Sequence, residues 1–251
     1  NSPSSREATM STSTATATTT KLTHKASELQ QNAVAALAVA CASCPLAGEE
    51  TKRLGGFTTI LGAIRSARED TNINRGASLL LVQLCDTEQA YRTLISMGAL
   101  SLLVKQLYQF TETSDRVTDN YLWVLMNAAK YPAPRQELVK HRLIVNVLIH
   151  VVARTGNLHI LTHALELITT LTVVEQDEFT CTFKDGMLLR IAQAGGKPAL
   201  TRAKRCAGPK LSTHALSLLL RFEECAMSLP QRRAGCLLTL YQAHTATSQQ
   251  L

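Results

Sequence analysis

An all-α fold, a helical solenoid of three-helix repeats, is what this sequence predicts. Three observations predict it. First, five stretches carry one helical pattern: NAVAALAVAC, RGASLLLVQLC, DNYLWVLMNAA, HALELITTLT and HALSLLLRFEE. Anchored on Ala33, Ala77, Tyr121, Ala164 and Ala215, they recur at intervals of 44, 44, 43 and 51. Each anchor is followed one helical turn later by Leu37, Leu81, Leu125, Ile168 or Leu219, the spacing of one helix face. Second, a turn marker recurs in step. Gly56, Gly98 and Gly186 each close a short helical segment and precede an apolar one, with Arg142 in the intervening slot. Glycine ends helices because it takes positive φ without a Cβ clash. Third, the chain is 45% hydrophobic but only 4% aromatic, with few alternating runs that would read as strands.

Each unit therefore reads as a short helix, a sharp turn, a second helix, a loop and a third helix. The third unit is the clearest, with TEQAYRTLISMG, ALSLLVKQLYQF and SDRVTDNYLWVLMNAAKY in those roles. In the fourth, LIVNVLIHVVA (143–153) reads as a buried second helix; interrupted by Asn146 and His150, it is too short to span a bilayer. One such unit cannot bury its apolar face alone, so units two to four, about 47–175, are expected to stack with Leu81, Leu125 and Ile168 buried at equivalent places.

At ISMG-ALSLLVKQL (95–107) and YLWVLMNAA (121–129) the chain resembles the armadillo repeat family. The stretch 95–107 is similar to that family's glycine turn into helix two. The stretch 121–129 is similar to its third helix, with a tryptophan followed four residues later by an asparagine. The resemblance covers about residues 27–228 and implies a right-handed α-solenoid of armadillo-type repeats. Two-helix HEAT-like repeats are the alternative that the same period allows. The chain departs from the pattern at Arg142, at most of the asparagine slots and in its longer fifth unit.

The domain organisation expected is a tail, a repeat domain and a terminal piece. Residues 1–23 are mostly Ser, Thr and Ala, with Met10 and Leu22 as the only large apolar side chains, and read as a disordered tail. Residues 24–230 read as the armadillo-like domain of about five units, and 231–251 as a terminal helix or partial repeat.

The net charge is +7. Five cations without an acid lie in KPALTRAKRCAGPK: Lys197, Arg202, Lys204, Arg205 and Lys210. Bounded by Gly195, Gly196, Gly208 and Pro209, the segment 195–210 reads as a basic loop insertion that accounts for the longer fifth interval. Its chemistry suits an acidic partner more than nucleic acid, because no aromatic side chain interleaves the cations to stack on bases.

Catalytic and metal-binding patterns do not emerge. The seven cysteines are odd in number and irregularly spaced, which argues against a disulfide framework and for a reducing compartment. Cys41 and Cys44 form a lone C-x-x-C with no further ligand pair nearby. His159 and His163 are four apart but lack the glutamate of H-E-x-x-H, and neither a Walker loop nor G-x-S-x-G occurs. His163 and His214 both sit in Thr-His-Ala-Leu, one residue before an anchor, as repeat-equivalent positions. The chain reads as a non-enzyme without cofactors.

The resemblance places the binding chemistry on the third helices, which line the concave groove in armadillo proteins. The slots two and six residues after each anchor are Ala35 and Val39, Leu79 and Gln83, Trp123 and Asn127, Glu166 and Thr170, and Ser217 and Arg221. Gln83, Asp119, Trp123, Asn127, Glu166, Thr170 and Arg221 are the expected partner-binding residues. Import adaptors of the family use an asparagine amide to hold a peptide backbone and an indole to flank lysine stems. Here only Trp123 and Asn127 match, and a carrier of basic peptides needs a more acidic groove than Asp119 and Glu166 provide. The expectation is a scaffold or adaptor within a larger assembly, holding an acidic or neutral extended segment or helix. The alternatives are a chaperone-like or transport receptor binding clients reversibly and a nucleic-acid-associated solenoid using the basic loop. No signal peptide or membrane-spanning segment is read, and the setting expected is intracellular, cytoplasmic, with nuclear or cytoskeletal association as the alternatives.

Overall fold

A computed structural model describes residues 25–26, 28–172, 187, 190–206 and 215, and divides the chain into two compact bodies that meet at Ala99 and Leu100. Among the described residues there is no strand.

Among the described residues the first body holds five helices: α1 (28–43), α2 (Pro45–Arg53), α3 (Gly56–Ser66), α4 (Thr71–Leu84) and α5 (Glu88–Ser96). Pro45 opens α2, where its missing N–H is no loss. Phe57, Ile60, Leu61 and Ile64 form the buried stripe of α3. Asp70 caps α4, its carboxylate accepting from the backbone N–H groups of Asn72 and Ile73 at 2.9 and 3.1 Å. The wholly buried Asn74 donates to the carbonyls of Ala67 and Asp70 and so closes the α3–α4 loop. Thr87 caps α5, and Tyr91 Oη donates to Cys85 O at 2.9 Å.

The second body holds α6 (Ala99–Phe110), α7 (Asp115–Ala128), α8 (Pro132–Lys140), α9 (Ile144–Arg154), α10 (Leu158–Thr172) and α11 (Gly196–Cys206). The segment 143–153 is a second helix as expected, with Val147, Leu148, Ile149, Val151 and Val152 buried. Third helix α10 packs on third helix α7 and on α9, and second helix α11 packs on second helix α9. Leu81, Leu125 and Ile168 are buried to 2% exposure or less at repeat-equivalent places, as are the anchors Ala77, Tyr121, Ala164 and Ala215.

Four expectations need correction. The left-handed turn residue of the second unit is Gly55 (φ 79°), not Gly56. Gly56 is instead the first residue of α3, where a Cβ would stand 2.6 Å from Thr51 O. The fifth unit turns at Gly195 (φ 79°), and Gly196 repeats the close approach, with a Cβ 2.7 Å from Ile191 O. Gly186 lies outside the described residues. The expected loop insertion at 195–210 is a helix over its described part: Gly196–Cys206 is a full second helix, because Ala199, Leu200 and Ala203 give it a buried face, and 207–210 lie outside the described residues. The extra length lies ahead of Gly195, between Thr172 and that turn. Finally, α1 is rotated by one residue from its expected register. Ala38 and Cys41 are buried, Val34 lies against Gly76, and Leu37 is 37% exposed. The tail 1–23 and the segment 231–251 lie outside the described residues.

The turn without glycine is held differently. Arg190 donates to Val139 O and His141 O at 2.7 Å and to Arg142 O at 3.1 Å, satisfying carbonyls at the end of α8 with a guanidinium. Beside it, burial and then the Lys105 cation hold the His141 imidazole below its ordinary pKa. Arg202 in turn donates to Ala153 O and to Val152 O at the end of α9.

Candidate interaction surface on the third helices

Third helices α4, α7 and α10 bury the anchor side and leave the slots two and six residues on half-exposed, whereas on α1 the anchor Ala33 and the slots Ala35 and Val39 are exposed. Leu79 and Gln83 on α4, Trp123 and Asn127 on α7, and Glu166 and Thr170 on α10 all lie at this boundary. In the first body, Gln83 stands on α4 as expected. Arg221 lies outside the described residues.

In the second body, Asp119, Trp123 and Asn127 follow one another along α7 at helical spacing, with Lys130 just past its end, and His159, His163, Glu166 and Thr170 do so along α10. The stacking of α10 on α7 sets the two stripes side by side. His163 Nδ1 donates to Asp119 Oδ1 at 2.9 Å and joins the two helices across the repeat interface. Sequence reasoning marks both residues but not their pairing. Their separation by 44 residues, one repeat interval, is the signal that carries it.

Asn127 Nδ2 donates to Trp123 O at 2.9 Å, and Asn127 Oδ1 accepts from Lys130 Nζ at 2.6 Å. A carboxamide has two N–H donors and two acceptor lone pairs, so one of each stays open to a peptide backbone. Lys130, missed in the sequence, adds an exposed cation beside that amide. The hydroxyl of Thr170 is tied to Glu166 O on its own helix at 2.9 Å, so it offers a partner an acceptor rather than a donor.

The basic cluster sits on α11. Lys197, Arg202, Lys204 and Arg205 are exposed there, and Lys210 lies outside the described residues. Arg202 is engaged with the end of α9. Counted from the turn glycines, Lys197, Thr201 and Lys204 take the places of Phe57, Leu61 and Ile64 on α3 and of Leu100, Val104 and Leu107 on α6. All six of the latter are buried. On α11 this face is polar where it is apolar on α3 and α6.

Cys41 and Cys85 are buried free thiols and Cys44 is an exposed one, heading α2. Burial pushes the Cys85 thiol up, away from the reactive thiolate. No group of three or more metal-ligating side chains occurs among the described residues. No described helix is long and apolar enough to cross a membrane.

Among solved structures the chain is similar to designed armadillo repeat proteins. One, designed armadillo repeat protein YIII(Dq.V1)4CPAF in complex with the peptide (KR)4, is 19% identical with a TM-score of 0.59, over 78% of this chain and 76% of that one. Another, YIII(Dq)4CqI, is 16% identical with a TM-score of 0.59, over 78% and 81%. An engineered protein from a structural genomics consortium is 18% identical with a TM-score of 0.61, over 80% of this chain and 48% of that one. No protein-family model matches the chain, and no curated protein does. The fold is thus an armadillo-like helical repeat fold.

Proposed function

We infer that this protein is a non-enzymatic scaffold or adaptor that holds a partner's extended segment or helix along its third helices. The observation that carries this reading is the half-exposed pair Trp123 and Asn127, with an amide that keeps one donor and one acceptor open. A peptide backbone supplies the matching acceptor and donor, and the indole supplies apolar cover for a neighbouring side chain. Lys130 against the amide selects for an acidic or neutral partner, since a cationic side chain at that point meets like charge. Asp119 is occupied by His163, which further lowers the appeal of the surface to basic peptides.

The test is Asn127→Ala in the full chain, with binding to a copurified partner followed by calorimetry. Affinity should fall about tenfold or more, while the melting temperature stays nearly unchanged because the residue is half-exposed. Unchanged affinity would remove the amide from the binding surface.

A further inference from the structure

The C-x-x-C of Cys41 and Cys44, which the third-helix surface leaves unused, lies at the joint between α1 and α2. Cys44 is an exposed free thiol. Its amide donates to Ala40 O at 2.9 Å, so the last turn of α1 runs up to it. Its own backbone is extended (φ -141°, ψ 110°), and α2 begins at the next residue, Pro45. Cys41, one helical turn back, is a free thiol that is only 7% exposed.

Cys41 Sγ lies 3.5 Å from Thr51 Oγ1 on α2. The hydroxyl of Thr51 donates its one hydrogen to Ala47 O at 2.6 Å, so the Cys41 thiol is the donor to Thr51. Thr51 in turn backs the turn from α2 into α3. A Cβ on Gly56 would stand 2.5 Å from Thr51 Cγ2 and 2.6 Å from Thr51 O. Residues three apart on an α-helix have Cα atoms about 5 Å apart, inside the range of about 4.4–6.8 Å that a disulfide spans. Their Cβ atoms stand about 5–6 Å apart, against about 3.5–4.5 Å in a disulfide. Closure therefore takes a local movement, and Cys44 can make it as the non-helical residue between two helices. A disulfide sulfur carries no hydrogen, so closure removes the donor from Thr51 whatever path the backbone takes.

We propose that Cys41 and Cys44 are a reversible redox site, oxidised to an intramolecular disulfide by exchange with a low-molecular-weight disulfide, and that oxidation releases Thr51 at the turn from α2 into α3. The exposed Cys44 is the attacking thiol. Its deprotonated sulfur bonds to one sulfur of the incoming disulfide, and the other leaves as a thiolate that takes up the proton. The deprotonated Cys41 sulfur then attacks Cys44 Sγ in the mixed disulfide, and the second small thiolate leaves and is protonated. The chain loses two hydrogens and two electrons, and the small disulfide gains them as two thiols. Cys85 does not compete, because burial pushes its thiol up, away from the reactive thiolate.

The test incubates the full chain with glutathione disulfide, quenches by alkylation and digests with trypsin. The tryptic peptide 26–52 holds both cysteines and no other. It should lose two hydrogens and regain them with dithiothreitol. In the Cys41→Ser chain glutathione should stay on Cys44, and in the Cys44→Ser chain Cys41 should stay unmodified. Hydrogen exchange over 51–57 should run at least about threefold faster in the oxidised parent than in the reduced one. A chain with both cysteines changed to serine should show no such response, which controls for the remaining cysteines. A parent peptide that stays reduced, or that accumulates glutathione on Cys44 without closing, would overturn the proposal. So would modification of Cys41 in the Cys44→Ser chain, or exchange over 51–57 that is indifferent to oxidation. Every readout lies in the first body, so none of them bears on Asn127.

Discussion

Asn127 and Arg190 show how much a single polar side chain does in a repeat of mostly aliphatic residues. Asn127 is legible in the sequence from its place four residues after Trp123, but its own partners are not. Lys130 completes the amide's geometry through an i, i+3 approach. Arg190 carries no sequence signal, and it holds the turn that lacks a glycine. Its three hydrogen bonds reach carbonyls 48 to 51 residues away. Arg190→Ala leaves those carbonyls without their cationic donor. Charge-assisted hydrogen bonds contribute about 1.5–3 kcal/mol each at best, and this group is part-exposed, so a total loss of about 1–3 kcal/mol is expected. Urea unfolding measures it. Arg190→Lys should restore only part of the loss, because an ammonium cannot span three carbonyls in a planar fork. An unchanged midpoint would show that water replaces the guanidinium.

At the scale of elements, α11 is the instructive one. Its cations dominate the composition and suggest a solvated loop, yet Ala199, Leu200 and Ala203 are spaced to bury one face against the repeat. Lys204 and Arg205 also lie in its last turn, where positive charge complements the helix dipole. Deleting Gly196–Cys206 should therefore destabilise the fold, since it strips α9 of a packed neighbour. Charge reversal separates the two roles. Lys204→Glu with Arg205→Glu should leave folding largely intact, since both side chains are exposed. Association with an acidic partner should slow, by a factor that shrinks as salt is raised. Stopped-flow association at low and high ionic strength measures this, and equal rates at low salt would make the cluster a solvated face only.

At the scale of the molecule, repetition sets the terms of stability. Within the second body, α10 packs on α7 of the adjoining repeat and on α9 of its own, and α11 packs on α9, so damage in one repeat reaches the next. Leu125 is wholly buried in α7, on which α10 packs. Leu125→Ala should cost about 2–5 kcal/mol through the cavity it leaves. Denaturant unfolding should show the midpoint falling, and hydrogen exchange should show α10 losing protection along with α7. A loss confined to α7 would mean that the repeats unfold independently.

The sequence by itself determined the all-α class, the repeat interval and the inward residues Leu81, Leu125 and Ile168. Those features follow from hydrophobic spacing within one helix, which a linear chain records directly. Only the tertiary structure decided which glycine of a pair is left-handed, that α1 is rotated by one residue, that Gly196–Cys206 is a helix, and that His163 meets Asp119. Each of these depends on groups brought close by folding: a Thr51 or Ile191 carbonyl one turn back, Gly76 against Val34, α9 beneath α11, or a side chain one repeat away. Local spacing is written along the chain, whereas contacts between helices and repeats exist only once they stack.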